Sequence, residues 1–178
     1  MEQTFKKLIR TVRGWPLPEV NFRDISTLFE NGEQFKAVIA AFEAKIETHH
    51  INRIAGVDAR GFILAGGVAA KTGLPMVMVR KKGKLPPEVI GESYDLEYGS
   101  AAVEIRSDSV NPGDRVLILD DLIATGGTLL AASKLVERLG GTTALVAAVI
   151  DLPELGGSDK LTKAGLEVFS LCSFSESE

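Results

Sequence analysis

The sequence predicts an α/β fold, a mostly parallel twisted sheet with helices on both faces. Two observations predict it. Apolar runs of strand length recur at Arg53–Val57, Pro75–Val79, Val116–Leu119, Ala144–Ile150 and Leu166–Phe169. They are nearly continuous rather than alternating, as strands buried on both faces require. Segments with helical spacing of apolar residues stand between several of them, and strand–helix alternation of this kind builds parallel sheets.

Each element has its own signal. Phe5, Leu8, Ile9 and Val12 share one helical face, which predicts an N-terminal helix up to Arg13-Gly14. Trp15-Pro16-Leu17-Pro18 then imposes extended chain, because proline disfavours helix for itself and its predecessor. Phe35, Val38, Ile39, Phe42 and Ile46 line a second helix. Asp58-Ala59-Arg60-Gly61 breaks the strand that starts at Arg53, and a helix through Leu64, Ala65, Val68 and Ala69 stops at Gly73.

From Arg80 to Gly99 no hydrophobic period appears, and Pro86-Pro87 excludes a helix. An irregular stretch this long inside a compact domain is usually functional or mobile, so about 81–99 is expected to be a flexible loop. Ala101–Arg106 reads as a strand bordering it, with Val103 and Ile105 inward. Leu129, Ala132, Val136 and Leu139 mark a helix that ends at Gly140-Gly141. Ser158 is expected to cap a short helix through Leu161 and Ala164, and Ser173–Glu178 reads as a dispensable tail.

Composition bounds the function. The 178 residues make a single domain with a substantial core, and the 25% of charged residues are ordinary for a globular protein. A net charge of −4 argues against nucleic acid as a partner. The lone Cys172 excludes an internal disulfide and a cysteine zinc site. No apolar run is long enough to span a membrane, and Met1–Lys7 lacks a signal-peptide core, so a cytoplasmic location is expected. His49 and His50 lack a third metal ligand nearby.

The most informative stretch follows the strand Val116–Leu119. Asp120-Asp121 comes first, then the loop Ala124-Thr125-Gly126-Gly127-Thr128, then a helix. Glycines expose backbone N–H groups, threonines add hydroxyl donors, and the helix N-terminus carries partial positive charge; together they make a phosphate cradle. Two carboxylates beside a phosphate repel it unless they bind hydroxyls or a metal, and a phosphorylated sugar satisfies both halves of such a site. Parallel topology brings two further strand ends to the same place. Asp58–Gly61 supplies Arg60, and Arg80–Lys84 supplies Arg80 and Lys84 as diphosphate partners, with Lys81 and Lys82 left open. The sequence has no Walker A loop, no complete Gly-x-Gly-x-x-Gly, and no Gly-x-Ser-x-Gly.

The ordered segments Phe22–Ile25, Gly56–Phe62, Arg80–Pro86, Tyr94–Gly99 and Asp120–Thr128 resemble the type I phosphoribosyltransferases, and within them the adenine-using enzymes, from about Pro16 to the last strand. The resemblance implies transfer of phosphoribose from 5-phosphoribosyl 1-pyrophosphate to adenine, giving AMP and pyrophosphate in purine salvage. It also implies magnesium carried mainly by the substrate, a homodimer, a base-binding hood over residues 1–30 and a lid formed by the irregular segment. By similarity, phosphoribose and diphosphate fall to Asp58, Ala59, Arg60, Arg80, Lys84, Tyr98, Asp120, Asp121 and Ala124–Thr128. The backbone at Asn21 and Arg23 would read the adenine edge, Phe22 would stack on the ring, and Leu152 would pack on the base. Ordinary core packing remains the other reading of Phe22. Glu97 and Arg60 are the catalytic candidates, Glu97 as the proton-handling group. A cis peptide between Asp58 and Ala59 is also implied.

Glu19 and Asn21 depart from the glycine and aliphatic residue more usual at those positions, which bears on base affinity. Two alternatives stand beside this reading. A non-catalytic regulator on the same fold would bring a DNA-binding module and a basic surface. An enzyme for 6-oxopurines would need a donor such as lysine after Ile150, and Ile150-Asp151-Leu152-Pro153 has none.

Overall fold

A computed structural model describes residues 2–96 and 99–175. Its core is a seven-stranded sheet of β3 (Arg53–Val57), β4 (Met76–Lys81), β5 (Val89–Asp95), β6 (Ser100–Arg106), β7 (Arg115–Ile123), β8 (Thr142–Asp151) and β9 (Val168–Ser173). The spatial order is β5-β6-β4-β3-β7-β8-β9. The run β4-β3-β7-β8-β9 is parallel, whereas β6 lies antiparallel to both β4 and β5. The predicted fold class therefore holds, with an antiparallel hairpin added at one edge.

Successive residues of β7 divide between two apolar layers. Leu117 and Leu119 pack with α3 (Gly32–Thr48) and α4 (Gly61–Thr72), while Val116 and Ile118 pack with α5 (Gly127–Arg138). Both faces are dry, which is why the strand reads as an unbroken apolar run. Asn31 caps α3, its side chain accepting from the Gln34 N–H at 3.1 Å. Gly73 ends α4 in the left-handed conformation, at φ +73°.

Several expectations are corrected. The N-terminal helix α1 spans only Glu2–Lys6, and Arg10–Arg13 instead forms β1, antiparallel to β2 (Asn21–Asp24). Phe5 and Ile9 are buried as the helical spacing suggested. An isolated short helix is marginal, however, and here strand pairing wins, aided by the Arg10–Asp24 ion pair at 2.8 Å. The segment expected to be irregular contains β5, whose backbone pairs with β6 from Val89↔Arg106 to Asp95↔Ser100. Its alternation was hard to read because few of its residues are apolar and none is fully buried.

At the other end, β7 runs on through Asp120 and Asp121 to Ile123, so the two acids lie within the strand rather than after it. The final strand β9 begins at Val168, later than predicted, and α6 (Gly157–Lys163) is capped by Gly156, with Ser158 inside it. The start of the tail is not dispensable: Phe174 is buried in the core, and the Ser175 carbonyl accepts from Arg23 at 3.0 Å. No helix among the described residues is long and apolar enough to cross a membrane.

Candidate active site

Three strand ends meet as the topology required. The Asp58–Ala59 peptide after β3 is cis, as expected. Arg60 Nε donates to Asp121 Oδ2 at 2.5 Å. Arg80, near the end of β4, donates from Nε to Asp58 Oδ2 at 3.2 Å and from Nη1 to the Lys84 carbonyl at 3.0 Å. Four of the predicted residues thus form two ion pairs, with the Lys84 backbone joined to one of them. Both guanidiniums are already facing carboxylates, so an anion that binds them must compete with those acids.

The close approach depends on Gly61. A methyl group there would lie 2.5 Å from the Leu119 carbonyl oxygen and 3.1 Å from Asp120 Cα. Only glycine lets the start of α4 rest against β7 at the point where Asp120 leaves the core.

Asp120 and Asp121 differ. Burial, reinforced by the Asp121 carboxylate beside it, pushes the Asp120 carboxyl well above the usual carboxylate range. Asp120 Oδ1 accepts from the Asp121 backbone N–H at 2.8 Å. Asp121 is buried and directed to Arg60. The pair therefore offers one carboxyl that resists ionisation and one that is paired with a guanidinium.

Beyond them the loop Ala124–Thr128 bounds a small cavity of about 90 Å³. Gly126 is left-handed, at φ +74°, and caps α5, so the loop meets the helix N-terminus as the sequence indicated. Thr125→Ala and Thr128→Ala are each expected to raise the KM for a sugar phosphate. Each removes a hydrogen bond to an anion worth about 1.5–3 kcal/mol, and initial-rate kinetics at varied sugar phosphate check this.

A larger cavity of about 530 Å³ lies between β2 and the end of β8. Asn21, Arg23 and Leu152, three of the residues expected at the base, all line it. The Arg23 side chain is buried, with Nη1 donating to Thr11 Oγ1 at 2.6 Å and the guanidinium stacked 4.3 Å from the Phe174 ring centre. Phe22 is half-buried and belongs to neither apolar layer, which disfavours plain core packing. Its ring meets Trp15 edge-on at 4.6 Å, with the Arg60 guanidinium 6.0 Å away on the diphosphate side. Glu97 and Tyr98 fall between β5 and β6 in sequence and lie outside the described residues.

Sequence reasoning missed part of this wall. Glu154 and Leu155 follow Leu152 in a short 3-10 turn, Pro153–Leu155, and line the same cavity with Phe174 and Ser175. The turn could have been inferred from its proline. The Phe174 contact had no local signal, since a single aromatic in a Ser/Glu tail looks solvated.

A glycine-containing loop, paired acids and two guanidiniums gather at the ends of parallel strands, the arrangement the resemblance to phosphoribosyltransferases implies. A model of the phosphoribosyl transferase domain matches residues 24–168. An adenine phosphoribosyltransferase of Marinobacter nauticus is 51% identical, over 97% of this chain and 96% of its own. The crystal structure of adenine phosphoribosyltransferase from Thermoanaerobacter pseudethanolicus superimposes with a TM-score of 0.92 at 37% identity, covering 98% of this chain and 100% of its own. That of the Saccharomyces cerevisiae enzyme, complexed with an imino-altritol bisphosphate and adenine, does so with a TM-score of 0.89 at 35% identity, over 96% and 97%. The chain belongs to the adenine phosphoribosyltransferase family.

Proposed function

We propose that this chain salvages adenine, transferring phosphoribose from 5-phosphoribosyl 1-pyrophosphate to give AMP and pyrophosphate. The observation that supports the reading is the arrangement of two cavities at the carboxyl ends of neighbouring parallel strands. One is a phosphate cradle at the end of β7, and the other a base-sized apolar cleft at the end of β8.

The residue roles in this reading extend the family resemblance to the matching positions of this chain. Ala124–Thr128 take the 5-phosphate, and Asp120 and Asp121 take the ribose hydroxyls. Asp58, Ala59, Arg60, Arg80, Lys84 and Tyr98 take the diphosphate. Arg60 leaves Asp121 for the diphosphate oxygens as the substrate enters, which frees Asp121 for a hydroxyl. The backbone at Asn21 and Arg23 holds the adenine edge, with Phe22 and Leu152 against its faces. The C1–N9 bond forms as the C1–diphosphate bond breaks, and Glu97 accepts the proton that the purine loses. Residues 1–30 serve as the hood and about 81–99 as the lid.

Magnesium fits this site as a partner of the substrate. Among the described residues, no three histidine, cysteine or acidic side chains converge as a metal cage. Magnesium keeps several waters and binds through substrate phosphates with one or two carboxylates, for which Asp120 lines the cradle and Asp121 adjoins it in β7. When bound, it would neutralise charge on the leaving diphosphate.

A homodimer is supported by Ile63 on α4 and Met78 on β4, which stay nearly half exposed and would be covered by a second copy. Sedimentation at micromolar concentration is expected to give twice the chain mass. A cytoplasmic setting accords with the buried free thiol of Cys172.

With magnesium present, adenine is expected to drive pyrophosphate release, and guanine or hypoxanthine little or none. The β8 end, Ile150–Pro153, presents no cationic donor to a 6-oxo group. Preferential turnover of guanine in a pyrophosphate-release assay would overturn the substrate assignment and leave the fold intact.

A further inference from the structure

The 3-10 turn Pro153–Leu155, which walls the base cavity through Glu154 and Leu155, leads within two residues to Gly157 at the start of α6. Gly157 is buried, and its backbone lies against the phosphate loop. A methyl group on it would overlap the Ala124 carbonyl oxygen and lie 2.7 Å from the Gly126 nitrogen. The contact is reciprocal: a methyl on Gly126 would lie 2.8 Å from the Gly157 carbonyl oxygen and 3.1 Å from its Cα. Every atom involved is backbone, so no side chain can rotate away to relieve a crowded contact.

Neither partner can drift easily. The phosphate loop is held by β7 on one side and by buried Leu129 and Leu135 of α5 on the other, and α6 is anchored by Leu161 in that same apolar layer. We infer that Gly157 is a positioning residue that sets the distance between the base cavity and the phosphate cradle, through backbone contact with Ala124 and Gly126. It touches no substrate itself. The inference rests on reading Ala124–Thr128 as the 5-phosphate subsite. A nucleotide spans both cavities, so its binding depends on their spacing, and a misplacement of about 1 Å can cost about 10²-fold.

Gly156 supplies the control. It is left-handed, at φ +72°, yet a methyl there meets nothing within 4 Å. Gly156→Ala therefore strains the backbone without pushing on the loop. The two variants separate a general loss of stability from a displaced cradle.

The test uses the full chain, titrated with ribose 5-phosphate and with AMP, alongside initial rates and thermal melts. Gly157→Ala is expected to weaken AMP binding and raise the KM for 5-phosphoribosyl 1-pyrophosphate by about tenfold or more, with a smaller change in kcat. Gly156→Ala is expected to lower the melting temperature while KM stays near the wild-type value, because lost folded protein lowers apparent kcat and not KM. A Gly157→Ala enzyme within about twofold of wild type in KM and AMP affinity overturns the inference, as does an equal KM rise in Gly156→Ala. Failure of the wild type to bind either ligand overturns the cradle assignment instead. If Gly157→Ala does not fold, hydrogen exchange on the wild type decides. Ribose 5-phosphate should protect α6 amides from Lys160 to Lys163 together with the loop, and protection confined to residues 124–128 overturns the coupling.

Discussion

Glu97→Gln is expected to lower kcat by about 10²–10⁴-fold, the usual worth of general acid–base assistance, with little change in KM. The purine gives up a proton as its nitrogen attacks the ribose carbon, and glutamine keeps the shape of the side chain while removing its ability to accept that proton. An interaction made chiefly in the transition state affects kcat and kcat/KM together, whereas a surface glutamate affects neither. Single-turnover measurement isolates the chemical step. A variant within about twofold of wild type there would remove Glu97 from the mechanism.

The second large effect concerns Asp120, where function and stability are expected to move in opposite directions. Its carboxyl is pushed up by burial and then by the neighbouring Asp121 carboxylate. The unfolded chain therefore releases this proton at lower pH than the folded one. Stability contributed at this site is intact below about pH 4, the unfolded value, and is lost as pH rises toward the elevated folded value. Asp120→Asn has no proton to release, so its melting temperature should gain on the wild type progressively from pH 4 to neutrality. The variant should use 5-phosphoribosyl 1-pyrophosphate less well by about fivefold to 150-fold in kcat/KM, the equivalent of about 1–3 kcal/mol for a buried polar group left without its partner. Melts across pH beside kinetics at fixed pH check both signs. A variant that loses both its folding transition and its activity would assign Asp120 a structural role.

The neighbouring acid should behave differently. Asp121 is already committed to Arg60 at 2.5 Å, so Asp121→Asn frees a guanidinium as well as removing a hydroxyl acceptor. The two asparagine variants are therefore not equivalent, although the acids are adjacent in sequence. The two carboxyl groups lie beside each other and differ in their partners: Asp120 Oδ1 accepts from the Asp121 backbone N–H, whereas Asp121 faces Arg60.

Much of the fold was legible before any coordinates. The strands β3, β7 and β8 announce themselves because burial on both faces demands unbroken apolar runs, and α3 and α4 because one buried stripe repeats at helical spacing. Gly73 marks the end of α4 because a left-handed cap there suits glycine. The Asp-Asp and Thr-Gly-Gly-Thr segment marked a loop that bounds a cavity at the start of a helix, since the residues that line it are contiguous in the chain.

What the sequence determined by itself, then, is whatever a short segment encodes: which faces are dry, where a helix stops, which loop can hold an anion. Tertiary structure alone decided the rest. Arg10–Arg13 became a strand because Asn21–Asp24 lay within pairing distance, and Val89–Asp95 because Ser100–Arg106 did. Phe174 became cavity wall because Arg23 stacks on it from far along the chain. Gly157 matters because its backbone meets that of Ala124 and Gly126 across a gap no side chain could enter. Each of these is a contact between distant segments. Its existence depends on how the backbone is placed in space, and local residue patterns carry no record of that.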